Sequence, residues 1–239
     1  MVSFDHRDAG TAEREWAASA RWHSVPQLDV RAAHNVVVIA AHPDDETLGA
    51  GGLIAGLHGV SASITIILAT RGERASSRDS SSKRLAEFQL AIEGLAPDAR
   101  VIDLALPDAA LAHHIPELGA AIANAAAEPN LIIAPWRGDG HTDHSAAGAA
   151  AALAAVDTGA RLLEYPIWLW HWAKPADAMV PWGSFVRLPI ASIAHQTKRR
   201  ALAAYVSQTA EVDGDAPTLH SGMLAHFNRG WETFVETPT

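Results

Sequence analysis

The chain has 239 residues, 49% of them hydrophobic and 19% charged, which suits a single globular domain over residues 1–239 with one sizeable core. Its 27 acidic against 18 basic residues give a formal net charge of -9, which opposes the phosphate-tracking surface that nucleic-acid binding needs. Cysteine is absent, so disulfides, a thiolate metal site and a thiol nucleophile are excluded, and any metal must be held by nitrogen and oxygen.

The N-terminal stretch MVSFDHRDAGTAEREW is polar and mixed in charge, unlike a secretory signal. Residues 1–34 lack sustained periodicity and read as a lead-in that packs on the domain. The longest apolar runs, around Val60 to Ala69 and Ala146 to Val156, fall short of the roughly 20 residues that span a bilayer. The expectation is a soluble, cytoplasmic protein with no transmembrane segment and a small molecule as its partner.

From Asn35 onward, short β-rich apolar runs alternate with helical stretches. Strands are predicted at Val36 to Ala41, Ser63 to Ala69, Ala99 to Leu104, Leu131 to Pro135 and Arg161 to Tyr165. Between and after them, helices are predicted at Leu48 to His58, Ser82 to Leu95, Ile115 to Ala127, Ser145 to Ala155 and Ile193 to Ser207. The alternation implies right-handed crossovers and a Rossmann-like three-layer α/β fold with a mainly parallel sheet. Such sheets bind ligands outside the carboxyl ends of their strands. Ser76 to Ser82 reads as a surface loop. Residues 166–190 break the pattern, with Trp168, Trp170, Trp172 and Trp182 among several prolines, and read as a loop region walling a pocket.

Two polar clusters stand at predicted strand ends. In Ala41-His42-Pro43-Asp44-Asp45-Glu46, His42 and Asp45 can converge on a metal across a turn stiffened by Pro43. Asp44 would then be free to act as a base on a metal-activated water. In Gly138-Asp139-Gly140-His141-Thr142-Asp143-His144, His141 and His144 have the spacing of many metal sites. Two His and one carboxylate leave a coordination position open for water, as catalytic sites require. Each cluster alone has a plainer reading, with Asp44 or Asp45 capping one helix and Thr142 or Asp143 the next. Their joint placement at the rim favours function.

Together the motifs AHPDDE (Ala41 to Glu46) and HxDH (His141 to His144), with TRGE (Thr70 to Glu73) and PWRGDGH (Pro135 to His141), resemble those of the PIG-L / LmbE family of zinc-dependent de-N-acetylases. The resemblance runs from about Val36 to about Tyr165 and onward toward the end. It implies His42, Asp45 and His144 as ligands of Zn2+, with other divalent metals tolerated, and Asp44 as general base. It also implies that His141 stabilises the oxyanion or assists the leaving amine and that Asp143 orients His141. Thr142 stands where the family often has proline, which leaves the ligands untouched. The implied reaction removes an acyl group, acetyl in the family, from an N-acylated amino sugar or its conjugate. Two alternatives share the motifs: a metal-dependent hydratase of an unsaturated oxo-acid, and a non-catalytic carbohydrate-binding protein.

Weaker signals surround these. Arg71, Arg137, Trp168 and His171 are candidates for substrate contact, Arg71 and Arg137 by charge at the rim and Trp168 and His171 as an aromatic platform. Core packing is the competing reading for the aromatic pair, and pairing with Asp139 or Glu46 for Arg137. Arg74 and Arg78 also follow the second strand and, like Arg71, could contact sugar hydroxyls or a phosphate, with solvated loop charge as the competing reading, stronger for Arg78 than for Arg71. His113 and His114 read as surface residues, and Glu46 as structural.

Overall fold

The computed structural model describes residues 4–74, 80–126, 128–211 and 217–236. Arg78 and the part of the serine cluster at 76–79 therefore lie outside the described residues, while Ser80 to Ser82, expected as loop, form the start of a helix. Five strands coincide closely with the apolar runs: β1 (Asn35–Ala40), β2 (Ser63–Leu68), β3 (Arg100–Asp103), β4 (Leu131–Pro135) and β5 (Arg161–Tyr165). Two more, β6 (Phe185–Pro189) and β7 (Trp231–Val235), complete a seven-stranded sheet ordered β3-β2-β1-β4-β5-β7-β6. Pairing is parallel from β3 to β5, and β7 runs antiparallel to both β5 and β6.

The sheet is covered on both faces, which is why β1 reads as an unbroken apolar run. Val36, Val38 and Ala40 enter one core with residues of α2 (Asp45–His58) and α3 (Ser80–Leu95). Val37 and Ile39 enter the other, with α4 (Ile115–Asn124) and α5 (Thr142–Thr158). This is the three-layer α/β arrangement that the alternation predicts. Gly49 allows α2 to lie against the ring of Tyr165, where a Cβ would clash, and the Tyr165 hydroxyl donates to Ile39 O at 2.6 Å. Among the described residues no helix is long and apolar enough to cross a membrane.

The chain runs outward from β1 to β2 and β3, then returns to place β4 on the other side of β1. The switch point between β1 and β4 opens a crevice at their carboxyl ends. Both polar motifs follow these two strands, so the topology brings them face to face.

Three segments differ from their expected form. The helix predicted to start at Leu48 starts at Asp45, so the polar motif forms its first turn. The late helix ends at Leu202, and α7 (Ser192–Leu202) is followed by the separate short α8 (Val206–Thr209). Residues 166–190 are more ordered than a loop, containing α6 (Leu169–Trp172), a 3₁₀ turn (Trp182–Ser184) and β6.

The lead-in contains α1 (Glu13–Ala17) and a 3₁₀ turn (Ala20–Ser24), and buries Trp16 and Trp22 among Trp170, Trp182 and Phe185. Glu13 fastens it to the C-terminal part, accepting from Arg229 Nε at 2.8 Å and contacting His226 Nδ1 at 2.6 Å on α9 (Ser221–His226). Burial raises the Glu13 carboxyl, but the bonds from Arg229 and His226 outweigh it and leave it below its ordinary value. A depressed carboxylate contributes stability above its unfolded value, about 4.3, and the contribution disappears as the pH falls through the lower folded value. Glu13→Gln is expected to cost ~1 to 3 kcal/mol near neutral pH, and less in acid. Urea unfolding at both pH values measures this, and an equal cost at both would contradict the ion-pair account.

Candidate active site

After β1 the backbone turns sharply. Asp44 sits at φ 112°, a conformation rare outside glycine that Asp and Asn tolerate better than other side chains. The turn is closed by Asp45 Oδ2, which accepts from the His42 backbone N–H at 2.9 Å. Asp44 is buried and lies 3.4 Å from Nη2 of the buried Arg84, which also donates to Pro43 O at 3.0 Å. Arg84 Nη1 donates to Gly72 O at 3.2 Å, and at Gly72, φ 64°, any Cβ would strike that guanidinium.

After β4 the chain reaches α5, whose N-cap is His141. The ring Nδ1 of His141 accepts the backbone N–H of Asp143 at 3.2 Å, so in the neutral ring the hydrogen resides on Nε2. The Asp143 carboxylate, expected to orient His141, turns instead to His42 Nε2 at 3.2 Å and to the backbone N–H groups of Ala109 and Leu111. Its hydrogen bond to His141 is made by the backbone N–H. Asp108, in the loop after β3, also lies 3.2 Å from His42 Nε2.

The three imidazoles of His42, His141 and His144 form a triangle with ring centres 4.8 to 5.5 Å apart. One nitrogen from each lies within 4.8 Å of the others, and His42, Asp108 and Asp143 form a second such group. Asp45 bridges two of the rings, with Oδ2 at 3.5 Å from His42 Nδ1 and Oδ1 at 3.3 Å from His144 Nε2. His144 is fully buried, and its Nε2 makes no hydrogen bond. A buried polar atom without a partner is costly unless something occupies the site beside it. With two imidazoles and a carboxylate converging there, the donor set fits a borderline cation such as Zn2+.

Burial would lower the His144 ring, but Asp45 and Asp139 override it and bring it to about 9. Burial also opposes the charge on His42, which Asp108, Asp143 and Asp45 nevertheless raise well above its ordinary value. Asp45 is the converse: burial raises it, and His144 and His42 hold it well below. Burial pushes Asp44 up to about 8 against the pull of Arg84. His141 is driven down to about 3 by burial and by the neighbouring rings of His144 and His42, so it is neutral near pH 7. Two adjacent carboxylates and two nearby imidazoles are thus held in opposite states, a pattern typical of acid–base sites.

These groups open into a cavity of about 230 Å³, also lined by Leu48, Arg74, Ile167, Trp168, Gln208 and Leu219. Of the four expected substrate-contacting residues, Trp168 lines it. Arg71 is turned away to Asp103 at 2.7 Å, and Arg137 forms a two-pronged pair with Glu164 at 2.8 Å for each prong. His171 is buried under Gly10, within hydrogen-bond distance of Asp5 O at 3.0 Å. Arg84 and Asp108 were not among the sequence candidates. Asp108 stands in a loop after the third strand, the one signal that would have pointed to it. Glu46 is enclosed with Tyr205 and Thr47, and burial raises it to about 7.

The fold thus sets two His/Asp motifs face to face at the switch point of a mainly parallel sheet. Residues 37–155 match the family model PIG-L, GlcNAc-PI de-N-acetylase, and the chain belongs to that family. No curated protein matches it. Among solved structures, the conserved protein TT1542 from Thermus thermophilus is 29% identical, with TM-score 0.58 over 73% of this chain and 80% of that one. The A40926 pseudoaglycone deacetylase Dbv21 is 20% identical, with TM-score 0.65 over 85% and 97%. The 4-carboxy-2-hydroxymuconate hydratase GalB from Pseudomonas putida KT2440 is 18% identical, with TM-score 0.57 over 73% and 80%. For the last two the likeness is one of fold.

Proposed function

We propose that this chain is a zinc-dependent de-N-acetylase that hydrolyses the amide of an N-acylated amino sugar or its conjugate. The observation that carries the reading is the buried, unbonded Nε2 of His144 facing Asp45 beside His42, in a chain of the PIG-L family. His42, Asp45 and His144 would hold the metal. Once bound, it supplies Lewis acidity, lowering the pKa of a water and polarising the amide carbonyl.

The remaining chemistry belongs to the chain. Asp44, 3.4 Å from Arg84, takes a proton from the attacking water, and a dication nearby favours its ionised form. As the C–O bond forms, the neutral His141 donates from Nε2 to the carbonyl oxygen that gains negative charge. The C–N bond then breaks, and the proton held on Asp44 passes to the departing nitrogen, giving a carboxylic acid and a free amine. Trp168, Ile167 and Leu219 offer the apolar wall that suits a sugar face, with Gln208 and Arg74 for its hydroxyls.

A hydratase is the second reading, supported by the likeness to GalB. The test is a panel of N-acetylglucosamine conjugates assayed for free amine, beside unsaturated oxo-acids assayed for loss of the alkene, each with zinc or with chelator. One divalent metal per chain and zinc-dependent amine release are expected. Turnover of the oxo-acids alone would transfer the assignment to the hydratase, and a zinc-loaded preparation without bound metal would remove both.

A further inference from the structure

We infer that Asp139 is a positioning residue that fixes the ring of His144 and, through the same oxygen, the turn carrying Trp168 into the cavity wall; this rests on the proposed metal site. Asp139 is fully buried in the loop between β4 and α5. Its Oδ2 accepts from His144 Nδ1 at 2.7 Å and from the Trp168 backbone N–H at 2.9 Å. Oδ1 accepts from the backbone N–H groups of Ile167 at 2.9 Å and Leu169 at 3.0 Å. Its own carbonyl receives the Trp172 indole N–H at 2.8 Å.

The bond to a carboxylate, which only accepts, requires the hydrogen of His144 to be on Nδ1. In the neutral ring, the form that binds a metal, this leaves the lone pair on Nε2, which lies 3.3 Å from Asp45 Oδ1. Partners of this kind set the tautomer and direction of metal-binding histidines. Here the same carboxylate also holds three successive backbone N–H groups, so His144 and the Trp168 turn cannot move independently. Residues 167–169 lie beyond the stretch 37–155 that carries the family match.

Asp139→Asn discriminates because its amide accepts at one end only. Three of the four donors are backbone N–H groups that cannot become acceptors, whereas the His144 ring can. The amide therefore keeps its oxygen toward Ile167 and Leu169 and turns its NH₂ toward His144, giving up the one bond from the Trp168 N–H where the reverse orientation would give up two. The ring hydrogen moves to Nε2, and the lone pair needed by the metal is lost.

The experiment measures zinc affinity of the intact protein by competition with a chromophoric chelator, together with hydrogen exchange of residues 166–172. Asp139→Asn should bind zinc ~10- to 100-fold more weakly. Zinc should slow exchange at residues 166–172 in the wild type and less so in the variant. Zinc affinity within twofold of wild type in a folded variant overturns the inference while leaving the metal site standing. A wild type that binds no zinc instead brings down the metal site and this inference with it. If the variant does not fold, ¹⁵N-histidine spectra of the zinc-loaded wild type decide: a hydrogen on Nδ1 of His144 supports the assignment, and a hydrogen on Nε2 overturns it.

Discussion

Asp44→Asn is expected to leave fold and metal content intact and to lower turnover by ~10² to 10⁴, the usual weight of a positioned proton-transfer group. Asparagine is the informative replacement because the backbone at this position, φ 112°, disfavours most other side chains. Asp45→Asn should behave differently. Asp45 lies between His42 and His144, so the amide weakens metal binding itself, and excess zinc should restore part of the activity. Metal content and turnover on the same preparations separate the two adjacent carboxylates. Loss of metal from the Asp44 variant and its retention by the Asp45 variant would reverse the assigned roles.

The second large effect lies outside the chemistry. Lys198 is 1% exposed, and its ammonium donates to Glu232 Oε1 at 2.7 Å and to Leu48 O at 2.7 Å. Glu232 in turn accepts from the Gly52 and Leu53 backbone N–H groups at 2.6 and 2.8 Å, within α2. Glu232→Gln leaves the ammonium without its counter-charge, and removing one partner of a buried pair costs ~3 to 5 kcal/mol. Urea unfolding at neutral pH measures the loss, and the double variant Lys198→Met/Glu232→Gln should recover part of it. A single-variant cost below ~1 kcal/mol would show that Lys198 does not depend on this charge.

Much of the parallel sheet is legible in the sequence because strands covered on both faces must be almost wholly apolar, as β4 and β1 after Asn35 are, with Thr65 the one buried polar residue in β2. Strands β6 and β7 escape notice because their position is set by pairing with each other across more than 40 intervening residues, about which a local pattern is silent. At the site, residues that share a motif can be read together. Arg84 lies on a helix and looks solvated, and only the packing of α3 brings it to Asp44. Arg137 shows the reverse limit: a charge beside the motif reads equally as a substrate clamp or as a partner of Asp139 or Glu46, yet Glu164 on the adjacent β5 claims it. Sequence proximity to a strand end does not determine where a long side chain points.

The aromatic cluster joining the lead-in to the rest has an optical and a kinetic consequence. Trp22 packs against Trp170, Trp182, Phe185 and Trp231, with Trp16 beside Trp170 and Trp182. Five of the eight tryptophans thus lie close enough to share excitation energy, so bulk emission is expected to respond to assembly of the cluster. Trp168, at the cavity, stands outside that network, against Phe4 and His171. Because the network joins residues 16 and 231, it requires the closure of nearly the whole chain, a contact of the longest range and therefore a late one. During synthesis Trp16 and Trp22 emerge well over 100 residues before Trp170 and Trp182, leaving two indoles exposed on the nascent chain until those partners are made.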